Sequence, residues 1–211
     1  HVPGQSPEDA ARRARYQALS QTAQQLSVRH IALAQHGDDQ VETILLALSR
    51  GAGLPGLSAM PMHFERAGVS FHRPWLHESG QALRDTLRRL QLPWADDPTN
   101  ADTRYTRNRI RAQLLPGLAA AFPAYRQTFA RSAAHAAHAQ CLLEEVAQED
   151  LAKVGDPPRI RALQTLSDAR LVNVLRHWLR QQSQTPNTAQ MQALVMQVRA
   201  CTTRGHGVDL K

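Results

Sequence analysis

Apolar residues recur along this chain at two spacings, and the changes between them divide it into elements. Val28 to Ala34 is a short apolar run that predicts a buried strand, feeding directly into the polar turn Gln35-His36-Gly37-Asp38-Asp39. Beyond the turn, Val41, Ile44, Leu45 and Leu48 fall on one helical face and predict a helix from about Asp39 to Gly51 or Gly53. Strand, tight turn and helix form the unit that α/β nucleotide folds place at the carboxyl edge of a sheet. Upstream, Glu8 to Ala23 is rich in Ala, Arg and Gln with acids at its start, predicting a helix with Ser6 as its N-cap.

Further along, Gly51 to Met62 holds three Gly and two Pro and reads as an irregular loop. Phe71 to Leu76 predicts a short extended piece, Glu78 to Leu90 a helix opened by Ser79, and Leu92 to Asn100 a defined turn. After Tyr105 the pattern is helical almost throughout, with breaks expected at Pro116, Pro123, Pro157 to Pro158 and Pro186. Trp75 and Trp94 read as core, and Val172, Leu175, Trp178 and Leu179 as one apolar helix face.

Composition narrows the function. No run of about 18 apolar residues occurs, so no membrane span is expected. Cys141 and Cys201 show no metal-ligand spacing, which argues against a zinc site or disulfide framework and fits a reducing cytoplasm. His135 and His138 lack a nearby third ligand. Aromatic content of 5% argues against recognition by a sheet of stacked bases.

The net charge is +7, and its placement says more than its size. Residues 1 to 102 carry ten Arg against eleven acids, whereas Thr103 to Leu143 has six Arg and no acid. An acidic island, Glu144 to Asp156, precedes a second basic stretch from Arg159. Two basic blocks suggest contact with phosphates, and Arg104, Arg107 and Arg111 lie at helical spacing. Asp39 and Glu42 are three apart, a spacing that serves either as a capping box with Asp39 as cap or as a grip on Mg²⁺ or an ammonium group.

Four blocks then carry a resemblance. They are His36-Gly37-Asp38-Asp39-Gln40-Val41-Glu42-Thr43 with Arg50-Gly51-Ala52-Gly53-Leu54; Arg73-Pro74-Trp75-Leu76; Leu92-Pro93-Trp94 with Asp96-Asp97-Pro98-Thr99-Asn100; and Tyr105-Thr106-Arg107-Asn108-Arg109-Ile110-Arg111. In that order they resemble the tRNA(Ile)-lysidine synthetases, of the N-type ATP-pyrophosphatase superfamily. The resemblance implies an α/β fold, the C-terminal part of a Rossmann-like ATP-pyrophosphatase domain followed by a mostly helical domain. The implied divisions are 1–122 for the catalytic remainder, 123–158 for a linking helix and 159–211 for the start of a tRNA- or substrate-binding domain.

It also implies a reaction. ATP adenylates the carbonyl oxygen at C2 of the wobble cytidine of a tRNA(Ile) with a CAU anticodon, and the amine of free L-lysine then displaces AMP from C2, changing codon recognition from AUG to AUA. Asp39 and Glu42 would hold lysine, with His36 and Asp38 beside them. Arg107, Arg109 and Arg111, with Arg50, Gly51 and Gly53, would meet substrate or phosphates. Arg104, Arg126, Arg131 and Arg176 are the candidates for tRNA contact; ATP and Mg²⁺ are the implied cofactors, with no metal ligand assigned.

Two departures bear on this. Gln35-His36 stands where the family often has two His, and the family's Ser-Gly-Gly-x-Asp-Ser phosphate loop does not occur in these residues. The chain, starting at His1 without Met, is therefore expected to begin inside a longer protein, and alone to bind ATP poorly and be inactive. An inactive tRNA-binding fragment and a related tRNA thiolation enzyme are the alternatives; the second commonly uses cysteine pairs.

Overall fold

The computed structural model of the chain describes residues 7–202. They form two compact units, one running to Ala137 and one starting at His138. The first is α/β. Helix α1 (Pro7–Gln25) precedes strand β1 (His30–Ala32), α2 (Gly37–Ser49), the single turn α3 (Leu54–Leu57), β2 (His63–Arg66), β3 (Val69–His72) and α4 (Gly80–Arg89). A 3-10 turn (Pro98–Ala101), α5 (Thr106–Arg109), a wide turn (Ile110–Leu114), α6 (Leu115–Ala121) and the start of α7 (Tyr125–Val154) complete it. The expected Ser6 cap lies outside the described residues.

The sheet has the order β1-β3-β2, with β1 parallel and β2 antiparallel to β3. Ala67 and Gly68 link β2 to β3 with φ of +50° and +72°, the two positive values that a tight primed hairpin turn needs. One sheet face carries Ile31, Phe64 and Phe71 in register. Helix α1 covers it with Tyr16, whose ring meets Phe64 and Phe71 edge-on at 5.6 and 5.4 Å. A second core, Val41, Leu46, Ile110, Leu115 and Tyr125, joins α2 to the wide turn, α6 and α7.

Several expectations change. The Val28 to Ala34 strand shrinks to three residues and is not buried: Val28 is 43% exposed. A run of apolar residues specifies burial only if a second layer covers both faces. On α2, Leu48 is exposed and Leu46 buried, so the core face is rotated from the expected one. The loop after Gly51 contains α3, opened by Pro55 in its first turn, and the β2–β3 hairpin was not anticipated. Pro116 starts α6 instead of breaking a helix, because a first-turn proline gives up no helical bond. Trp75 and Trp94 are 45% and 40% exposed, not core.

The second unit holds the rest of α7, then α8 (Ile160–Leu163), α9 (Asp168–Gln181) and α10 (Thr188–Ala200). Ser167 caps α9, and Asn187 with Gln190 forms a reciprocal capping box on α10. Leu171, Val174, Leu175 and Leu179 bury one face of α9 against Met191, Leu194 and Val198 of α10, with Val172 and Trp178 at its margin. Asp150, 1% exposed, gives both oxygens to Arg170. Among the described residues no helix is long and apolar enough to cross a membrane.

Candidate active site

The first two turns of α2 concentrate three carboxylates, and each has a different set of partners. His36 is the extended N-cap of the helix, and its backbone N–H donates to Asp39 Oδ2 at 3.0 Å. The capping role thus belongs to His36 with Asp39 as its third-position partner, not to Asp39 with Glu42. The Gly37 N–H donates to the Glu78 carbonyl at 2.7 Å. A Cβ on Gly37 would lie 2.9 Å from that same oxygen, so only glycine permits the approach.

Asp38 is held from two other elements. Its Oδ2 accepts the Gly80 N–H at the start of α4 (2.8 Å), and its Oδ1 accepts the Tyr125 hydroxyl (3.2 Å) and Arg126 Nε (2.5 Å) from α7. Burial opposes ionisation here, but the Gly80 N–H and Arg126 outweigh it, leaving the carboxyl below its ordinary value.

Glu42 differs. Its side chain has 0% exposure; Arg111 Nε donates to Oε1 at 2.8 Å, while Oε2 has no hydrogen-bond partner. Arg111 also reaches Asp39 Oδ1 at 3.3 Å. Burial pushes the Glu42 carboxyl above its ordinary value, against the pull of Arg111 and with the Asp39 charge adding to the rise. The His36 ring stands 3.8 Å from Asp38 Oδ2 and 3.6 Å from Asp39 Oδ2, beyond hydrogen-bond reach.

Beside this cluster lies a cavity of about 260 Å³. His36, Asp38, Arg84, Arg111 and Arg126 supply its polar wall, and Leu115 and Pro116 part of an apolar one. A small zwitterion or the edge of a larger ligand fits such a space.

The other expected site residues are spread out. Arg107 sits on α5, near enough to lower the cost of ionising Glu42. Arg109 is exposed and bonds Thr106 Oγ1 at 3.1 Å. Arg104 turns onto Asp102, with a shortest contact of 2.7 Å. The three-arginine stripe is therefore not continuous: Arg104 and Arg111 each face acids, and the wide turn breaks helical phase within it. Arg126 faces Asp38, whereas Arg131 and Arg176 are exposed. Arg50 caps the far end of α2, with Gly51 and Gly53 just beyond, about 20 Å from His36 at helical rise.

Sequence reasoning missed Gly80, Arg84 and Tyr125. A glycine following the Ser79 cap was the only available signal, since nothing local ties α4 or α7 to Asp38. It also missed Arg73, 2% exposed, whose guanidinium donates to Gln35 Oε1, the Pro61 carbonyl and the Tyr16 hydroxyl at 2.6, 2.6 and 3.2 Å.

Comparison with known proteins bears directly on this geometry. Residues 2–118 match the family model of the PP-loop domain, and residues 159–211 that of the TilS substrate binding domain. The tRNA(Ile)-lysidine synthase of Polaromonas naphthalenivorans is 61% identical over 211 residues, covering 100% of this chain and 64% of its own length. That of Bordetella pertussis is 43% identical over 222 residues, covering 99% of this chain and 69% of its own. This chain belongs to the tRNA(Ile)-lysidine synthase family. It spans less than the whole of these relatives: the synthase of Ralstonia nicotianae, 48% identical over 178 residues, is covered for only 38% of its length. The carboxylate turn, the cavity wall on α4 and Arg111 all fall inside the PP-loop match.

Proposed function

We propose that the carboxylate turn of α2 grips the amino acid in a tRNA(Ile)-lysidine synthase reaction, the ATP-dependent joining of free L-lysine to C2 of the wobble cytidine of tRNA(Ile) with a CAU anticodon, in the cytoplasm. The observation that carries this reading is Glu42, a fully buried carboxylate with one oxygen on Arg111 and the other without a partner. An unpartnered buried oxygen is costly to fold, and an ammonium N–H would satisfy it; Glu42 lies behind the cavity wall, so the ammonium would reach it past Arg111, which lines that cavity and holds Oε1.

The raised Glu42 carboxyl suits it to take a proton from that ammonium. The freed amine then attacks C2 of the adenylated cytidine, and the bond from C2 to the oxygen of AMP breaks. Asp39 adds a second negative charge. Asp38, kept ionised by Gly80 and Arg126, fixes the turn and does not touch the proton in flight. Arg107 and Arg109, just ahead of Arg111, are better placed than Arg50, Gly51 and Gly53 to meet phosphates near this cluster. Mg²⁺ would arrive with ATP, but Asp39 and Glu42 already serve Arg111, and among the described residues no three His, Cys, Asp or Glu side chains are placed to ligate a metal. The cluster does not fit the ion.

The test is transfer of labelled lysine to tRNA(Ile) by the full-length protein with ATP. For Glu42→Gln, kcat/KM for lysine should fall ~100-fold while tRNA affinity holds; wild-type lysine kinetics in that variant would overturn the reading. Binding of tRNA by the wild type with no transfer at all would favour a tRNA-binding role alone.

A further inference from the structure

A line of arginines leaves the cavity and ends on an exposed tryptophan. Arg84 lines the cavity, and Arg88 follows on the same face of α4, about 6 Å farther along the axis. The Arg88 guanidinium lies over the Trp94 ring, 5.6 Å from its centre. Its 2.6 Å bridge to Asp85 is exposed on both sides and contributes little that a phosphate could not replace.

Trp94 is 40% exposed, although an indole is among the most profitable groups to bury. Its N–H is tied to Asp96 Oδ1 at 3.2 Å, which leaves the ring held by its edge. Residues 91–100 are exposed throughout, yet the loop is pinned. Asp97 Oδ1 accepts the Thr99 N–H at 2.9 Å, and Asn108 Nδ2 donates to the carbonyls of Thr99 and Asp102 at 2.8 and 2.9 Å. An aromatic face that is exposed, fixed and flanked by a guanidinium has the makings of a base-stacking surface. Between Arg84 and Arg109 the chain carries six Arg and four Asp, a balance that favours a polyanion over an acidic protein partner.

We propose that Trp94 is a stacking platform for an unpaired base of the RNA substrate, close to the nucleotide that reacts at the cavity, with Arg84 and Arg88 taking the phosphates between. The proposal rests on the lysine-to-tRNA reading of the site and adds a residue that lays the strand across it. Stacking tolerates any base, so Trp94 positions the strand and leaves the choice of nucleotide to the cavity. Its loss therefore belongs in the KM for RNA, not in the KM for lysine.

The test compares wild-type, Trp94→Ala and Trp94→Phe full-length protein, titrated with an RNA stem-loop carrying the CAU anticodon and with a fully paired RNA duplex of equal length. Trp94→Ala should weaken stem-loop binding at least about tenfold and Trp94→Phe by no more than about threefold, with duplex binding the same in all three. The stem-loop should also quench wild-type tryptophan fluorescence more than that of Trp94→Phe, which retains Trp75 and Trp178; this readout stands even if the alanine variant folds badly. Stem-loop affinity and quenching unchanged by both substitutions would overturn the platform alone. A wild type that binds no stem-loop would overturn the ligase reading and the platform with it.

Discussion

Glu42 in the first unit and Asp150 in the second are both sealed from water, at 0% and 1% exposure, and both face an arginine. Asp150 gives Oδ2 to Arg170 Nε at 2.8 Å and Oδ1 to Arg170 Nη2 at 2.5 Å, so both oxygens are satisfied. Glu42 gives Oε1 to Arg111 and keeps Oε2 bare. The first is a finished contact that fastens α7 to α9. The second is an unfinished one, and buried polar atoms are so regularly paired that an open one asks for a partner. Burial is common to both carboxylates; what separates a site from a strut is the oxygen left over.

The largest test of this contrast is to remove each arginine. Arg170→Ala leaves the sealed Asp150 carboxyl without either of its hydrogen-bond donors and should give the larger loss of stability in denaturant unfolding. Arg111→Ala should cost less, roughly 1–2 kcal/mol, because burial already favours the neutral form of Glu42, which can take up a proton when its partner goes. Equal losses would erase the distinction.

A smaller effect comes from the turn itself. Gly37→Ala drives a Cβ against the Glu78 carbonyl at 2.9 Å, and should cost about 1–3 kcal/mol while shifting Asp38 and Asp39. A melting curve like that of the wild type would mean that the turn yields easily and is no fixed frame for the cluster.

The smallest effect is in pH. The Glu42 carboxyl is raised in the folded protein, so its favourable contribution is present at acid pH and fades as pH rises from the ordinary carboxylate value through the raised one. The Asp38 carboxyl is depressed, so its contribution is present above the ordinary value and fades as pH falls through the depressed one. Melting temperatures between about pH 3 and pH 7 should show Glu42→Gln flattening the decline toward neutral pH and Asp38→Asn flattening the acid limb. Parallel profiles for the two variants would contradict the opposite shifts.

Much of the cluster was legible in the sequence because it is local. His36, Asp38, Asp39 and Glu42 lie within seven residues, and the helix that gathers them follows from its apolar spacing. The partners were less so. Arg111 was expected to face phosphate and Arg126 to face tRNA; the structure turns both onto carboxylates 69 to 88 positions earlier. An acid-free stretch looks basic along the chain, but its charge in space depends on the acids that folding brings to it. The exposed Trp75 and Trp94 were misread for a related reason, since residue type gives only an average burial and a loop rich in Pro and Asp has no second layer to cover it. The β2–β3 hairpin was missed because its strands are four residues each and its turn is Ala-Gly, a weak form of the signal.

The turn at Ile110–Leu114, where the Leu115 N–H reaches back to the Ile110 carbonyl, inserts one more residue than an α-helix would use. Each residue of a helix turns the next by about 100°, so this insertion sets the angle at which everything after it emerges. Leu115 and Leu118 face Val41 and Tyr125 only with that count kept. Losing a single residue here would swing them toward solvent while Arg111, upstream of most of the turn, stayed beside Glu42. Between Ile110 and Leu114, then, the chain is fixed in length more strictly than in side-chain identity.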